Sequence, residues 1–169
     1  SAALAGVRLL VSAGPTYEDI DPVRFIGNRS SGKMGFAIAA VAAERGAEVV
    51  LVAGPVHMAT PPGVRRVDVR SAAQMHDAVM ARLETGQAPC DAYIGAAAVA
   101  DFTPLAIASN KLKKRPGQDT LVLELVKTRD ILAEVAAHAA RPRLVVGFAA
   151  ETDNVAGYAR GKLERKGVD

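Results

Sequence analysis

The stretch Asp91-Ala-Tyr-Ile-Gly-Ala-Ala-Ala98 is apolar over nearly its whole length, as a buried strand is. Residues 7–11, 48–53, 64–69 and 143–150 are also predicted strands, and segments with helical patterns separate them. Apolar strands that alternate with helices indicate a parallel sheet covered on both faces. Since crossovers between parallel strands are right-handed, the chain is predicted to have an α/β, Rossmann-like, three-layer fold with a mostly parallel sheet.

The predicted helices are recognised by the residues at their ends. The first covers 32–45, where a glycine follows it as a C-terminal cap. Ser71-Ala-Ala-Gln74 has the spacing of a capping box and opens the second helix. Thr128 is expected to cap a third helix that runs to about residue 140, and a fourth is predicted over 154–166.

The segment Ser109-Asn-Lys-Leu-Lys-Lys-Arg-Pro-Gly117 interrupts the alternation of strands and helices. It is basic and rich in turn residues, and a strand of alternating pattern is predicted over 120–127. We therefore expect a basic hairpin or flap, one edge of which could pair with a second chain. Its lysines, Lys111, Lys113 and Lys114, either form only a solvated surface or close over bound phosphates.

Composition limits the class of protein. The 169 residues are half hydrophobic and carry a net charge of +3, which suits one globular domain and an anionic small molecule. No apolar run approaches the roughly 20 residues of a membrane helix. There is no Trp and no alternation of basic with aromatic residues, which argues against a nucleic-acid groove. The three histidines lack the spacing of metal ligands, and Cys90 is interpreted as a structural thiol in a reducing compartment.

A glycine-rich loop, Asp21 to Gly35, runs directly into the first helix. A helix N-terminus is a ready anion site because its first amides lack partners and the helix dipole is positive there. Gly27-Asn-Arg-Ser-Ser-Gly-Lys33 matches the start of a phosphate-loop motif, but Met34 stands where that motif needs Ser or Thr. A kinase or GTPase is therefore disfavoured. The alternative is a loop that merely turns the chain.

Three predicted strands end in small residues, at 12–14, 95–98 and 147–150. Any one of them could reflect packing of a helix on the sheet. Together at one edge they favour a pocket, since ligands of parallel sheets bind outside the carboxyl ends of the strands. The first strand lacks the Gly-x-Gly-x-x-Gly fingerprint, which leaves an NAD(P)-dependent oxidoreductase as a minor alternative.

The last predicted helix places Lys162 and Lys166 on the same side as Val155 and Ala159, at about 100° per residue. Lysines normally lie opposite the apolar stripe, and two of them four residues apart repel each other. Either a bound polyphosphate offsets this repulsion, or the helix leaves the core and the lysines snorkel to water.

Six motifs lie along almost the whole chain in one order and spacing: Ala13-Gly-Pro-Thr16, Asp21-Pro-Val-Arg24, Asn28-Arg-Ser-Ser-Gly-Lys-Met-Gly35, Ala96-Ala-Ala-Val-Ala-Asp101, Lys111-Leu-Lys-Lys114 and Gly147-Phe-Ala-Ala-Glu-Thr152. Together they closely resemble the bacterial phosphopantothenate–cysteine ligases, also called phosphopantothenoylcysteine synthetases. One such motif would be weak, but six in register are highly specific.

The resemblance implies a two-step ligation in coenzyme A biosynthesis. The carboxylate of 4′-phosphopantothenate attacks the α-phosphate of CTP, which releases pyrophosphate and forms an acyl-cytidylate. The amine of cysteine then displaces CMP. Mg²⁺ accompanies the nucleotide and would be held mainly by its phosphates. The resemblance also implies a cytoplasmic homodimer, with no nucleic-acid or membrane partner.

The resemblance further implies an arrangement of domains. Members of this family are commonly the C-terminal half of a bifunctional protein whose other half is an FMN-dependent decarboxylase. Residues 1–169 are therefore expected to be a single ligase domain from which that partner domain has been removed, in keeping with the start at Ser1. A final strand is expected beyond Asp169.

The resemblance assigns roles position by position. Asn28 matches the asparagine that handles the acyl intermediate, and Arg24 matches a residue that helps to hold phosphopantothenate. Lys111 matches the flap lysine needed for activation. Positions that match nucleotide contacts are Gly95, Ala96, Ala97, Asp101, Lys111, Lys127, Thr128, Arg129, Phe148, Lys162 and Lys166. The chain departs from the family at 127–130, where it reads Lys-Thr-Arg-Asp and members often read Lys-Asn-Pro-Asp.

Besides the ligase, two other functions are considered. An NAD(P)-dependent oxidoreductase predicts thermal stabilisation by its cofactor. A non-catalytic nucleotide-binding or oligomerisation module predicts CTP binding without release of pyrophosphate.

Overall fold

The structure is a computed structural model that describes residues 2–148 and 155–169. Its elements in chain order are β1 (Arg8–Ala13), β2 (Glu18–Asp19), β3 (Phe25–Ile26), α1 (Lys33–Glu44), β4 (Glu48–Ala53), β5 (Val64–Asp68), α2 (Ala72–Leu83), β6 (Ala92–Gly95), β7 (Phe102–Pro104), β8 (Leu125–Lys127), α3 (Ile131–Ala136), β9 (Leu144–Gly147) and α4 (Val155–Lys166).

Five of the strands form one parallel sheet in the order β5-β4-β1-β6-β9. The chain builds one half outward from β1 through β4 to β5. It then crosses back to β6 and builds the other half. This is the Rossmann-like order, in which β1 and β6 are neighbours at the point where the direction of building reverses. The predicted fold class is confirmed.

Alternate residues of the strands supply two separate cores, because side chains along a strand point to opposite faces. On one face α1 covers the sheet, with a core of Leu9, Val11, Val49, Leu51, Phe36, Ala39 and Ala42. On the other face α2 and α3 cover it, with a core of Leu10, Val52, Tyr93, Val145, Met75, Val79, Ile131 and Val135. The capping box of α2 is present as predicted: the backbone N–H of Gln74 donates to Ser71 Oγ at 3.1 Å, and the Gln74 side-chain oxygen accepts from the backbone N–H of Ser71.

The flap differs from its prediction. β7 and β8 form a two-stranded antiparallel ribbon, which confirms a hairpin, but the strand predicted over 120–127 is wrong for its first five residues. Because β7 offers only three residues to pair with, the ladder ends at Leu125. Residues 113–124 remain exposed, including Val122 at 88%.

The cap predicted for the third helix is also wrong. Asp130, not Thr128, caps α3, with its carboxylate accepting from the Ala133 amide at 3.1 Å. Thr128 instead donates its hydroxyl to the Ala100 carbonyl at 2.6 Å. Asp is the stronger cap, and the hydroxyl has a competing partner across the cleft described below. Residues 149 and 150 of the predicted last strand, and residue 154 of the predicted last helix, lie outside the described residues.

A small hairpin, β2–β3, stands at the carboxyl edge of the sheet and is anchored to α2. Tyr17 and Phe25 stack at 4.1 Å between ring centroids, and the Arg70 guanidinium lies over both rings. Arg70 also pairs with Asp19 at 2.7 Å. The buried carboxylate of Glu18 accepts from the Ala72 amide at 3.1 Å. These contacts fix the start of the loop that leads to α1.

A tight packing constraint lies at Gly35, where α1 meets the sheet. A Cβ at this position would overlap the Cβ of Ala13 and press on Ala96. We expect Gly35→Ala to lower the free energy of unfolding by about 1–3 kcal/mol, because this overlap outweighs the gain of about 1 kcal/mol in helix propensity. Urea denaturation followed by circular dichroism measures it.

The matched control is Gly161→Ala in α4, where a new Cβ would meet only the end of the Arg165 side chain, which can move. Here helix propensity should dominate and stabilise the protein by about 0.5–1 kcal/mol. Equal effects of the two substitutions would contradict the packing assigned to Gly35.

Candidate functional site

A cleft of about 1120 Å³ opens outside the carboxyl ends of β1 and β6. This is the switch point of the sheet, where parallel α/β folds bind their ligands. Ten of the eleven positions expected to contact a nucleotide line it: Gly95, Ala96, Ala97, Asp101, Lys127, Thr128, Arg129, Phe148, Lys162 and Lys166.

The floor of the cleft rests on a buried polar pair. Ser12 on β1 and Tyr93 on β6 are 1% and 2% exposed, and their oxygens lie 2.8 Å apart. Burial raises the pKa of the Tyr93 phenol to about 12, although the hydrogen bond with Ser12 acts in the opposite direction. The phenol is therefore neutral at physiological pH and serves to hold two neighbouring strands together rather than to transfer a proton.

The backbone that follows β6 is held against the rest of the cleft by several hydrogen bonds. The amides of Ala96 and Ala98 donate to the carbonyls of Ser12 at 3.0 Å and Gly14 at 2.8 Å. The Ala100 amide donates to the buried hydroxyl of Thr16 at 3.0 Å. These bonds present the loop from residue 96 to residue 101 as a fixed edge that a planar ligand can approach closely.

The first wall of the cleft is the N-terminus of α1. Gly32, in the left-handed conformation with φ 79°, precedes the helix and supplies no capping side chain. The Lys33 amide reaches Ser31 Oγ only at a long 3.4 Å. The basic side chains of Arg29 and Lys33 also line this wall, and neither has an ion-pair partner in the described part of the chain. Helix dipole and cations here favour the same ligand, an anion.

The opposite wall carries the lysines of α4. Lys162 donates to the Phe148 carbonyl at 2.8 Å, and Lys166 pairs with the Asp130 carboxylate at 3.0 Å. Both line the cleft, while Tyr158 and Leu163 of the same helix are 50% and 40% exposed. The unusual placement of these lysines, seen in the sequence, thus brings two cations to the ligand side of α4.

Arg129 is held by a network that spans α2 and α3. Its guanidinium donates to the Glu134 carboxylate through Nε at 3.1 Å and through Nη2. The same carboxylate lies 3.1 Å from Nε2 of the buried His76. Glu134 therefore orients Arg129 along the rim of the cleft.

Charge in the cleft is strongly unbalanced. Six cationic side chains line it, against the two carboxylates of Asp101 and Asp130, and Asp130 is already paired with Lys166. The cations are Arg29, Lys33, Lys127, Arg129, Lys162 and Lys166. A polyanionic ligand such as a nucleoside triphosphate fits this arrangement, with phosphates between the two walls.

The structure does not bring Arg24, Asn28 or Lys111, all of them described, into the lining of the cleft. Asn28 lies beside it and donates its amide to the Ala98 carbonyl at 2.7 Å. Arg24 pairs with Asp21 at 2.7 Å, behind the loop. Lys111 is exposed on the flap.

Sequence reasoning did not include Arg29, Lys33, Asp21 or Asp130 in its set of site residues. Arg29 and Lys33 carry a signal in the basic, glycine-rich stretch to which they belong. Asp130 carries a signal as the last residue of the Lys-Thr-Arg-Asp motif at 127–130, and the structure shows it as the cap of α3. Nothing in the sequence around Asp21 indicates that it contacts Leu112 in the distant flap.

Mg²⁺ would find one suitable protein donor in the cleft. No group of three or more His, Cys, Asp and Glu that could hold a metal occurs among the described residues. Mg²⁺ often binds instead through one or two carboxylates, waters and substrate phosphates. The exposed carboxylate of Asp101 suits that mode.

Two further sequence interpretations bear on function. Cys90 is buried, and burial raises the pKa of its thiol, which is the reverse of what a nucleophile needs. None of the helices in the described part of the chain has the length and hydrophobicity of a membrane span.

Comparison with known proteins gives concordant matches. The family described as DFP, DNA/pantothenate metabolism flavoprotein C-terminal domain, matches residues 4–169. The coenzyme A biosynthesis bifunctional protein CoaBC of Vibrio cholerae serotype O1 is 53% identical over 166 residues, which are 98% of this chain and 41% of that protein. CoaBC of Escherichia coli K12 is 52% identical over 167 residues, 98% and 40% of the two chains.

A solved structure agrees with these relatives. The crystal structure of the C-terminal domain of CoaBC superposes with a TM-score of 0.84 at 45% identity, covering 99% of this chain and 76% of that one. The chain spans about two fifths of the length of the curated relatives that it matches.

The buried phenol of Tyr93 predicts a late titration. We expect phenolate absorbance to show a step near pH 12 that Tyr93→Phe removes. Because the pKa is raised in the folded state, the linked stability is fully present below the ordinary value of 10.0 and is lost as pH rises towards 12. A spectrophotometric titration that shows the same steps in wild type and variant would contradict the assignment.

The cations of the first wall predict a measurable contribution to anion binding. Lys33→Met should weaken the binding of inorganic pyrophosphate roughly 3- to 10-fold at low salt, since it removes an unpaired charge beside a helix N-terminus. The loss should shrink as salt is added. Isothermal titration calorimetry measures it, with Lys113→Met on the exposed flap as the matched control. A larger effect from Lys113 would place the anion elsewhere.

Proposed function

The chain belongs to the family of the DNA/pantothenate metabolism flavoprotein C-terminal domain, and on that premise we propose that it is a phosphopantothenate–cysteine ligase domain acting in coenzyme A biosynthesis. The observation that carries the proposal is the basic cleft at the switch point of the sheet, whose lining includes ten of the expected nucleotide positions. Its curated relatives are named for coenzyme A biosynthesis, which supports the choice of pathway.

CTP is the proposed nucleotide. The backbone of residues 95–97 and the ring of Phe148 offer a close, flat surface for the base. The phosphates would lie between the N-terminus of α1 and the lysines of α4, where the cations are concentrated. Mg²⁺ would arrive with the nucleotide, be held by the phosphates together with Asp101, and offset part of their charge.

The first chemical step joins phosphopantothenate to the nucleotide. A carboxylate oxygen of phosphopantothenate attacks the α-phosphorus, the bond to the bridging oxygen breaks, and pyrophosphate leaves. The role of this chain is to align the reactants and to stabilise the charge on the leaving group. Lys111 serves the latter role once the flap has closed over the cleft.

The second step forms the amide. The amine of cysteine attacks the acyl carbon of the acyl-cytidylate, loses a proton, and displaces CMP. The Asn28 side chain already donates to the Ala98 carbonyl at the edge of the cleft. From this position its amide is proposed to donate to the oxyanion that develops on the acyl group, without adding a proton-transfer group. Arg24 is proposed to help hold phosphopantothenate.

A homodimer in the cytoplasm is proposed as the working form. The exposed large apolar side chains of the flap ribbon and its neighbours support this, because a patch of this kind on a soluble surface normally meets a partner. Its members are Phe102, Leu105, Ile107, Leu121, Val122, Leu125 and Val126, which are 41–88% exposed. FMN is not among the ligands proposed for this chain.

One observation favours a second candidate, a binding module without catalysis. Arg24, Asn28 and Lys111 do not line the cleft, so the groups proposed for chemistry must move or be approached by substrate. A module of this kind would bind CTP and release no pyrophosphate.

Pyrophosphate release decides between the two candidates. With CTP, Mg²⁺ and 4′-phosphopantothenate but no cysteine, wild type should release pyrophosphate and accumulate an acyl-cytidylate detectable by mass spectrometry. When cysteine is added, Asn28→Ala should convert that intermediate to the amide roughly 10²-fold more slowly, since it lacks an oxyanion donor.

The control for this experiment is Gln87→Ala, which removes an exposed amide side chain outside the cleft. Absence of pyrophosphate from the wild-type reaction, with CTP binding retained, would overturn the ligase and support the binding module. Amide formation at the wild-type rate in Asn28→Ala would remove Asn28 from the chemistry.

A further inference from the structure

The flap touches the body of the protein at very few points. Between residues 109 and 123 the hydrogen bonds to the rest of the described chain are all made by the backbone of Leu112. Its N–H donates to the Asp21 carboxylate at 2.9 Å, and its carbonyl accepts from Nη2 of Arg24. One acid–base pair thus holds both backbone polar groups of a single residue that lies 91 positions from Asp21.

Asp21 is unusually well fixed for this task. It is 2% exposed, and one of its carboxylate oxygens accepts from the backbone amides of Val23 and Arg24, each at 2.8 Å. The other oxygen accepts from Arg24 Nε at 3.0 Å and Nη2 at 2.7 Å, in addition to Leu112. Five donors surround one carboxylate, so its position is determined from every side.

The loop that carries Asp21 is itself anchored. The Ile20 amide donates to the Arg24 carbonyl at 2.9 Å, which closes the turn around Asp21, and the β2–β3 hairpin below it is fixed to α2. The Ala108 amide donates to the Ile20 carbonyl at 3.0 Å. The first leg of the flap is therefore tied at two points, Ala108 and Leu112, to the same turn.

We propose that Asp21 is a positioning residue for the activation step: together with Arg24 it latches Leu112 to the body and thereby fixes the root of the neighbouring Lys111. The inference rests on the proposed role of Lys111 at the phosphates. Asp21 does not line the cleft, so its effect on the phosphates is transmitted through the flap. Movement of the flap then bends the chain around a fixed Leu112, and Lys111 always starts from the same place.

A purely structural role for Asp21 fits the packing less well. Asp21 and Leu112 belong to neither hydrophobic core of the sheet. The carboxylate accepts its hydrogen bonds from its own turn and from the flap, and none of these donors belongs to the sheet. Its loss should therefore loosen the flap more than the fold.

The latch persists over the working pH range. Hydrogen bonds from Arg24, and next from the Leu112 amide, hold the pKa of Asp21 well below its usual range. A carboxylate with a lowered pKa in the folded state keeps its interactions above its ordinary pKa near 4 and loses them only as pH falls through the lowered value. The latch should therefore not open between about pH 5 and 9.

Hydrogen–deuterium exchange tests the latch without reference to catalysis. In Asp21→Asn, peptides covering residues 109–116 should exchange about ten-fold faster or more, since the Leu112 amide loses a charged acceptor. Peptides of β1 and β4 should be unchanged. The matched control is Asp68→Asn at the end of β5, which loses its exposed pair with Arg66 and is remote from the flap and from the turn of Asp21.

Kinetics test what the latch does. Asp21→Asn should lower kcat for pyrophosphate release roughly 10- to 100-fold, the scale of a misplaced catalytic group, with little change in the KM for CTP. In a Lys111→Ala background the same substitution should lower kcat hardly any further, because the latch acts only by positioning Lys111.

Each outcome decides the proposal. Flap exchange equal to that of wild type, or rate losses that simply multiply with those of Lys111→Ala, would overturn it. If wild type releases no pyrophosphate, the ligase proposal fails and the role assigned to the latch fails with it, while the exchange experiment still decides whether the latch exists. Should Asp21→Asn not fold, Leu112→Pro removes the same N–H from the flap side, outside both cores, and must give the same result.

Discussion

The close approach of the chain to the end of β1 is the constraint on which the site depends. At Gly35 the backbone of α1 lies so near Ala13 that no side chain fits between them, and at Gly54 a Cβ would overlap the Pro15 carbonyl. Ala96 and Ala98 then hydrogen-bond to carbonyls at and beyond the end of β1. With helix, loop and strand packed this tightly, the packing sets the separation between the N-terminus of α1 and the backbone after β6. Small residues at this edge are thus a condition for the cleft to exist.

The charge of the cleft is much more positive than the net charge of the chain suggests. The net charge of the chain is only +3, yet six cations and two carboxylates line the cleft. Cations from the start of α1, from the 127–130 segment and from α4 converge because all three segments border the cleft. Like charges held this close repel one another, so the arrangement is stabilised when an anion is bound. The cleft is therefore better suited to a polyphosphate than to a neutral ligand, whatever reaction follows.

Some elements of the fold follow from neighbouring residues in the sequence, and others depend on contacts between distant residues. The sheet, the first two helices and the capping box at Ser71 follow from patterns of neighbouring residues, and the structure confirms them, whereas the third helix ends at Ala136 and not near residue 140. The strand over 120–124 was mistaken because its alternation is real but β7 is too short to pair with it. Thr128 was mistaken as a cap because Ala100, 28 residues away, competes for its hydroxyl. The bond from Leu112 to Asp21 leaves no local pattern at all, since neither residue constrains its own neighbours through it.

Lys111 lies on a flap that is attached to the body at the neighbouring Leu112 and is otherwise exposed. A flap that lay permanently over the cleft would hold its cations against those of α1 and α4 even without substrate, at an electrostatic cost. A flap without attachment would have to find the cleft again in each turnover, at a cost in entropy. Fixing one residue next to Lys111 while the chain beyond it stays exposed avoids both extremes. In the proposed mechanism, anionic substrate supplies the attraction that closes the flap, and the fixed turn of Asp21 and Arg24 determines where Lys111 arrives.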